Sequence, residues 1–288
     1  MRRWLAPAAL LCSLLANAAP AQACDATRVA RAHRDPARVV RPPLIVGDST
    51  MILAVPHLAR LGIEADARGC RQLGQGIAVL AARRRTATLP PVAVLALGSN
   101  GAIGDGAIAR ALRLLGPRRV LGLVTPRHVG AGSDGAMRRA AARHPDRVVL
   151  IDWRRFSGGH GGWFAGDGLH VDDSGARAFA GLVRRRLEPF FAPRGLRVPP
   201  RAGAAARSCG RVLRGGRGLN VLVLRGGTRL LCARARQLVR ARALAGIPGW
   251  RYYDWARSGR RPWTAVYVRL DRRVIVATVR PAARRTSA

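Results

Sequence analysis

One pattern constrains this chain most: short apolar runs that each stop at a turn residue, separated by segments of helix length. Leu44-Ile45-Val46 follows Pro42-Pro43 and stops at Gly47. Val92 to Leu97 ends at Gly98, Val120 to Val124 at Thr125-Pro126, and Val148 to Ile151 at Asp152. Runs of this length without polar alternation suit strands buried on both faces, which is the environment of a parallel sheet. Between them, Met51 to Arg60, Gly76 to Arg85, Ile108 to Leu115 and Asp134 to Arg143 carry helical patterning, and Gly175 to Leu187 reads as a closing helix. Strand and helix alternating at this spacing predict a doubly wound α/β domain, whose ligands bind at the carboxyl ends of its strands.

That domain is bounded on both sides. From Ala192 to Ala206 the composition turns to Pro, Arg, Gly and Ala, which reads as a linker over 192–206 between a domain at 24–191 and a small α+β module at 207–288. In the module, Leu219 to Leu224 reads as a strand and Thr228 to Leu244 as a helix. Ala265 to Leu270 with Val274 to Val279 reads as a hairpin turning at Asp271-Arg272. Its aromatic residues Trp250, Tyr252, Tyr253, Trp255, Trp263 and Tyr267 suit core packing or stacking on sugar rings, core packing being the commoner use.

At the other end, Arg2 and Arg3, the apolar run Trp4 to Leu15 and Ala21-Gln22-Ala23 have the order of a secretory signal peptide, residues 1–23, cleaved near Ala23. Cleavage there leaves Cys24 at the new N-terminus, which admits a lipoprotein reading, although Ala21 stands where a large aliphatic residue is expected. No later stretch approaches the roughly twenty apolar residues of a membrane span, so none is expected in the mature chain. Removing the signal removes Cys12 and leaves Cys24, Cys70, Cys209 and Cys232, an even number that suits disulfides in an exported protein. Of the three possible connectivities, spacing favours Cys24 with Cys70 and Cys209 with Cys232. No pair has the spacing of a zinc knuckle, so neither a metal nor a cofactor is expected.

Charge narrows the partners. Fifty-one basic residues against fifteen acidic give +36, and every basic residue is an arginine. Nucleic-acid binders usually mix lysine with arginine and interleave aromatics, so arginine alone, beside abundant Ala, Gly and Pro, reads as a compositional bias and no nucleic-acid partner is expected. An anionic cell-wall polymer is a candidate partner, because guanidinium groups pair bidentately with carboxylate and phosphate.

Three short motifs fall on the predicted rim of the sheet. Gly47-Asp48-Ser49 follows the first strand, where a serine hydroxyl projects at the start of a helix. Gly98-Ser99-Asn100-Gly101 follows the second, and the Asn100 amide can aim at an oxyanion. Asp167-Gly168-Leu169-His170 precedes the last helix, and a separation of three lets the carboxylate fold onto one imidazole nitrogen, leaving the other to take a serine proton. Each alone is an ordinary turn; their order along one rim is what points to serine chemistry. Asp48 is read as a brace of its turn, and His128 and His160 as solvent-facing loop residues.

With these blocks, residues 40 to 190 resemble the SGNH hydrolases, also called the GDSL esterase/lipase family. Gly47-Asp48-Ser49 is similar to the first block, Gly98-Ser99-Asn100 to the third and Asp167-Gly168-Leu169-His170 to the fifth. Leu97 to Gly101, Val124-Thr125-Pro126-Arg127, Asp152-Trp153 and Trp163-Phe164 look most like the extracellular domain of peptidoglycan O-acetyltransferases. The resemblance implies a three-layer α/β/α sheet, with Ser49 as nucleophile, His170 as base and Asp167 as its orienter. It also implies an oxyanion hole from the Ser49 amide, the Asn100 side chain and an amide near Cys70, where Gly69-Cys70-Arg71 replaces the second-block glycine. Arg71 and Arg127 are candidate substrate contacts. The implied activity is a secreted serine esterase removing short acyl groups, acetyl above all, from a cell-wall or extracellular carbohydrate. An O-acetyltransferase with the same triad and a non-catalytic wall-binding protein are the alternatives. The lack of a multi-helix membrane half in this sequence favours hydrolysis. A long-chain lipase would want an apolar lid that the sequence does not offer.

Overall fold

Each apolar run packs as its composition demands. In the computed structural model, which describes residues 24–33, 41–128, 132–191, 202, 206–214, 216–226, 230–241, 244, 247–255, 263–269 and 274–280, a six-stranded sheet holds β1 (Thr27–Ala30), β2 (Leu44–Gly47), β3 (Glu64–Arg68), β4 (Val92–Ala96), β5 (Val120–Val124) and β6 (Val148–Ile151). Its order is β1-β3-β2-β4-β5-β6. All pairings are parallel except that of the edge strand β1 with β3. Alternate side chains feed two cores. Leu44, Val46, Ala93 and Leu95 face α2 (Leu73–Arg85), α3 (Asp105–Leu115) and α4 (Ser133–Arg143). Ile45, Val94 and Ala96 face the other layer, made by α1 (Val55–Arg60) and α5 (Asp173–Arg186). This is the three-layer α/β/α arrangement that the resemblance implies.

Two readings need correction here. Four strands were expected and six form, since β1 and β3 lack an apolar run. β3 reads Glu-Ala-Asp-Ala-Arg, yet Ala65 and Ala67 are fully buried while Glu64 and Asp66 are ion-paired to Arg83 and Arg71. The helix expected over 51–60 starts as a 3-10 segment, Ser49–Ala54, and becomes α-helical only at Val55. Pro56 sits in the first turn of α1, where its missing N–H costs nothing.

The second sheet is antiparallel, in the order β7-β8-β11-β10-β9. It holds β7 (Arg207–Arg214), β8 (Arg217–Arg225), β9 (Trp250–Tyr253), β10 (Ala265–Arg269) and β11 (Ile275–Val279). Helix α6 (Cys232–Arg240) covers one face, and is shorter than the expected 228–244. β7 and β9 were not anticipated, because arginines interrupt their apolar positions. Tyr253, Trp255, Trp263 and Tyr267 are buried, so core packing takes these aromatics and they offer no sugar-stacking surface. The Asp254 amide donates to the Pro189 carbonyl at 2.7 Å, and Arg214 reaches from β7 to Asp146 at 2.5 Å and to the Tyr267 hydroxyl at 2.6 Å. Burial pushes the Tyr267 phenol up to about 12, so it stays protonated at neutral pH. The signal segment 1–23, nearly all of the linker and the Asp271-Arg272 turn lie outside the described residues.

Cys24 bonds Cys70, and Cys209 bonds Cys232. The second bond ties β7 to the start of α6 across a sequence separation of 23. Replacing both Cys209 and Cys232 by Ala should lower stability by about 3 kcal/mol, the chain-entropy cost of freeing a loop of that size. Urea unfolding followed by the fluorescence of the buried tryptophans measures it.

Candidate active site

Strand register brings the three motifs together. Gly47 lies opposite Ala96, and Val124 opposite Ile151, so the loops after β2, β4, β5 and β6 leave one edge of the sheet side by side. The first carries Asp48 and Ser49. Asp48 is fully buried and caps the 3-10 segment: its Oδ1 accepts from the Thr50 amide at 3.1 Å and the Thr50 hydroxyl at 2.6 Å. Burial raises its carboxyl above the usual range, with the Thr50 hydrogen bonds working against that rise. Its place is under the turn, as the sequence reading held.

Asp167 and His170 come from the loop before α5. The Asp167 carboxylate accepts the Leu169 amide at 2.9 Å and the His170 amide at 3.0 Å, closing a tight turn. Gly168 sits inside that turn with φ +65°, a conformation that favours glycine. Asp167 Oδ2 lies 2.5 Å from His170 Nδ1, and His170 Nε2 lies 2.9 Å from Ser49 Oγ. The imidazole beside Asp167, ahead of the two amides, holds the Asp167 carboxyl at about 2, below its ordinary 3.8. An ionised carboxylate can only accept, so Nδ1 carries the proton and Nε2 is the acceptor for the Ser49 hydroxyl. The arrangement is that of a nucleophile, a base and an orienting acid within hydrogen-bond reach. It is also open, with the His170 and Asp167 side chains 43% and 48% exposed.

The third motif carries an unused donor. Gly98, at φ +122°, turns the chain out of β4 against Pro126, which would crowd any side chain there. Asn100 follows, and its Nδ2 is buried with no hydrogen-bond partner among the described residues. A buried amide left unpaired is rare and unfavourable unless something is to be bound. Beside Ser49, a cleft is lined by Thr50, Ser99, Val124, Pro126, Trp153 and Leu169.

The remaining expected contacts fare differently. Arg71 does not reach the site surface. Only 6% of its side chain is exposed, and its guanidinium donates to the Gly47 carbonyl at 3.0 Å, the Asp66 carbonyl at 2.7 Å and the Asp66 carboxylate at 2.7 Å. It braces the nucleophile loop from below, so its assignment to substrate is corrected: the Asp66 charge and two carbonyls hold it inside. Cys70, beside it, has φ +51°, a left-handed conformation in which glycine is at home, at the point where the resemblance calls for glycine. Arg127 does line the cleft, but its Nε donates to the Gly168 carbonyl at 2.8 Å and its Nη1 to the Ser157 carbonyl at 3.0 Å, with the guanidinium 3.8 Å over the Phe164 ring. It therefore ties down the turn that carries His170, a role the sequence could not show because Ser157 and Gly168 are distant in the chain. His128 also bonds the Gly168 carbonyl, at 3.1 Å, and His160 stacks on Trp163 at 3.8 Å.

Two outcomes test this geometry. Arg71→Met should destabilise the protein by about 3 kcal/mol in urea unfolding, because Asp66 loses its partner in a mostly buried position. Asp167 has a depressed folded value, so its contribution to stability is complete above about pH 4 and is lost as the pH falls through about 2. A carboxyl-carbon NMR titration should place its midpoint near 2, and Arg127→Ala should move that midpoint up as the turn loosens.

No family model matches the chain. Among curated proteins it is 26% identical over 156 residues to O-acetyltransferase OatA of Staphylococcus aureus, covering 51% of this chain and 25% of that one. It is 25% identical over 150 residues to peptidoglycan O-acetyltransferase OatA of Listeria monocytogenes, covering 51% and 24%. The chain thus spans about a quarter of the length of these relatives. Among solved structures, the catalytic domain of OatA from Streptococcus pneumoniae superposes with a TM-score of 0.47 at 20% identity, over 52% of this chain and 93% of that one. A protein described as an SGNH hydrolase from Slackia heliotrinireducens gives 0.40 at 19%, over 51% and 98%. In its motif blocks, its layered sheet and its curated relatives, the first domain of this chain resembles the SGNH hydrolases, and among them the peptidoglycan O-acetyltransferases.

Proposed function

We propose that this chain is an exported SGNH-type serine esterase that removes short acyl groups, acetyl above all, from a cell-wall or extracellular carbohydrate. The observation that carries the reading is the continuous relay from Ser49 Oγ through His170 to Asp167, at 2.9 and 2.5 Å. In this reading the Ser49 hydroxyl gives its proton to His170 Nε2 as its oxygen attacks the ester carbonyl. Asp167 holds the ring and the charge it then carries. The new oxyanion accepts from the buried Asn100 Nδ2, from the Ser49 amide and from an amide at Cys70. His170 returns the proton to the departing sugar oxygen, leaving acyl-Ser49. Water, deprotonated by His170, then releases the acid and restores the serine.

Export accords with residues 1–23 read as a signal peptide and with two disulfides. The sulfur of Cys24 is bonded to Cys70, which leaves none for the thioether of a lipid anchor. Among the described residues, no helix is long and apolar enough to cross a membrane. Domain limits of 24–191 and 207–288 are part of the proposal.

A second reading, transfer of the acyl group to a sugar hydroxyl, has its own support in the names of the curated relatives. It shares every step up to acyl-Ser49 and differs only in the acceptor. Purified protein should hydrolyse an aryl acetate, and Ser49→Ala or His170→Ala should lower kcat by about four orders of magnitude or more. Asp167→Asn should retain roughly a hundredfold more activity than Ser49→Ala. Equal rates in wild type and Ser49→Ala would overturn the serine mechanism. Adding a glycan acceptor and weighing free acetate against acetylated glycan by mass spectrometry decides between the two readings.

A further inference from the structure

The relatives match about half of the chain, and the distribution of charge between its two sheets is uneven. Residues 24–191 hold 26 arginines and 13 acidic residues; residues 207–288 hold 20 arginines and only Asp254 and Asp271. A compositional bias toward arginine acts on both parts alike. It does not explain why carboxylates are nearly absent from one of them. In the first domain the carboxylates are spent on arginines: Asp66 on Arg71, Glu64 on Arg83, Asp105 on Arg139 and Arg143, Asp173 on Arg177, Glu188 on Arg184. In the second, Arg214 reaches a carboxylate by crossing to Asp146 of the first domain.

We infer that the second module is a binding module for an acidic glycan polymer. Arg207 and Arg211 on the edge strand β7, Arg217 and Arg225 on its neighbour β8, and Arg234 and Arg240 on α6 are all exposed. They are spread along the β7–β8 side of the sheet and over the helix that packs on those two strands. Guanidinium groups repeated over such a surface recognise repeated carboxylates or phosphates, and the field of a module this basic draws a polyanion from solution. Two observations favour a glycan over a nucleic acid. Of the aromatics that could stack on bases, Tyr253, Trp255, Trp263 and Tyr267 are buried, and Trp250 and Tyr252 are half-buried against the core. The disulfide Cys209–Cys232 lies within this module, as in proteins of an oxidising compartment outside the cytoplasm. The module would hold the catalytic domain on its polymer, so the inference rests on the proposed esterase reading for its purpose but not for its binding.

The test uses the full chain, as wild type, as Ser49→Ala, and as a variant carrying Arg207→Gln, Arg211→Gln, Arg234→Gln and Arg240→Gln. The probes are purified peptidoglycan sacculi, acetylated xylan as a neutral glycan, and double-stranded DNA, in sedimentation and filter-binding assays at 50 and 500 mM NaCl. Wild type and Ser49→Ala should bind sacculi equally at low salt and release them at high salt. The four-arginine variant should bind about ten-fold more weakly. Its aryl acetate kcat/KM should match the wild type, since none of the four touches the active site. Equal binding of the variant, equal binding of neutral xylan, or tighter binding of DNA than of sacculi would overturn the inference. Loss of esterase activity in the wild type with binding intact would sink the esterase reading alone.

Discussion

The register of parallel strands β2, β4, β5 and β6 is the constraint on which the rest depends. Because Gly47 sits opposite Ala96 and Val124 opposite Ile151, four loops emerge together, and the side chains of three distant motifs meet within hydrogen-bond reach. A slip of one residue in any of these pairings would also exchange the two cores, since Ile45 and Val46 face opposite layers. The apolar demand of both layers therefore fixes the position of Ser49 against His170. The geometry of the Ser49–His170–Asp167 relay is here a consequence of burial.

Below that edge, electrostatics complete what packing begins. Arg71 is buried because Asp66 and two carbonyls satisfy it, and in return it holds the Gly47 carbonyl next to the nucleophile turn. Arg127 performs a similar task for the Gly168 carbonyl on the histidine side. Two arginines from different loops thus fix the two halves of the relay, each through a backbone carbonyl. The disulfide Cys24–Cys70 secures the loop that carries Arg71, so β1, otherwise a short and exposed edge strand, is linked to the site through one covalent bond. Asn100 Nδ2 remains a buried donor without a hydrogen-bond partner among the described residues.

The two halves of the chain use arginine differently. In the first domain part of it is structural: Arg71, Arg83, Arg138, Arg139, Arg143, Arg177 and Arg184 pair with carboxylates. In the second, most of the described arginines are exposed, and the module has almost no acid to neutralise them. Stability of the second sheet comes instead from its aromatics, Tyr267 above all, from the cover of α6 and from Cys209–Cys232. A small core with a like-charged surface is open to self-repulsion, and a cross-link offsets that.

The sequence by itself determined the strands with unbroken apolar runs, the helices between them, the order of the three motifs and the pairing of cysteines by spacing. These are local properties: a run such as Val92 to Leu97 has few ways to hide its side chains other than in a doubly covered sheet. Tertiary structure alone decided the rest. β3 is a strand because Arg71 and Arg83, from elsewhere in the chain, neutralise Asp66 and Glu64 at positions that would otherwise forbid burial. Arg71 and Arg127 looked alike as free cations beside the motifs, and only folding showed that one lies beneath the site and the other grips the histidine turn. The aromatics of the second module could have served a core or a surface until its five strands closed over them. A charged or aromatic side chain has more than one way to be satisfied, and partners such as the Gly47 carbonyl for Arg71, 24 residues away, and the Gly168 carbonyl for Arg127, 41 residues away, are chosen by the fold.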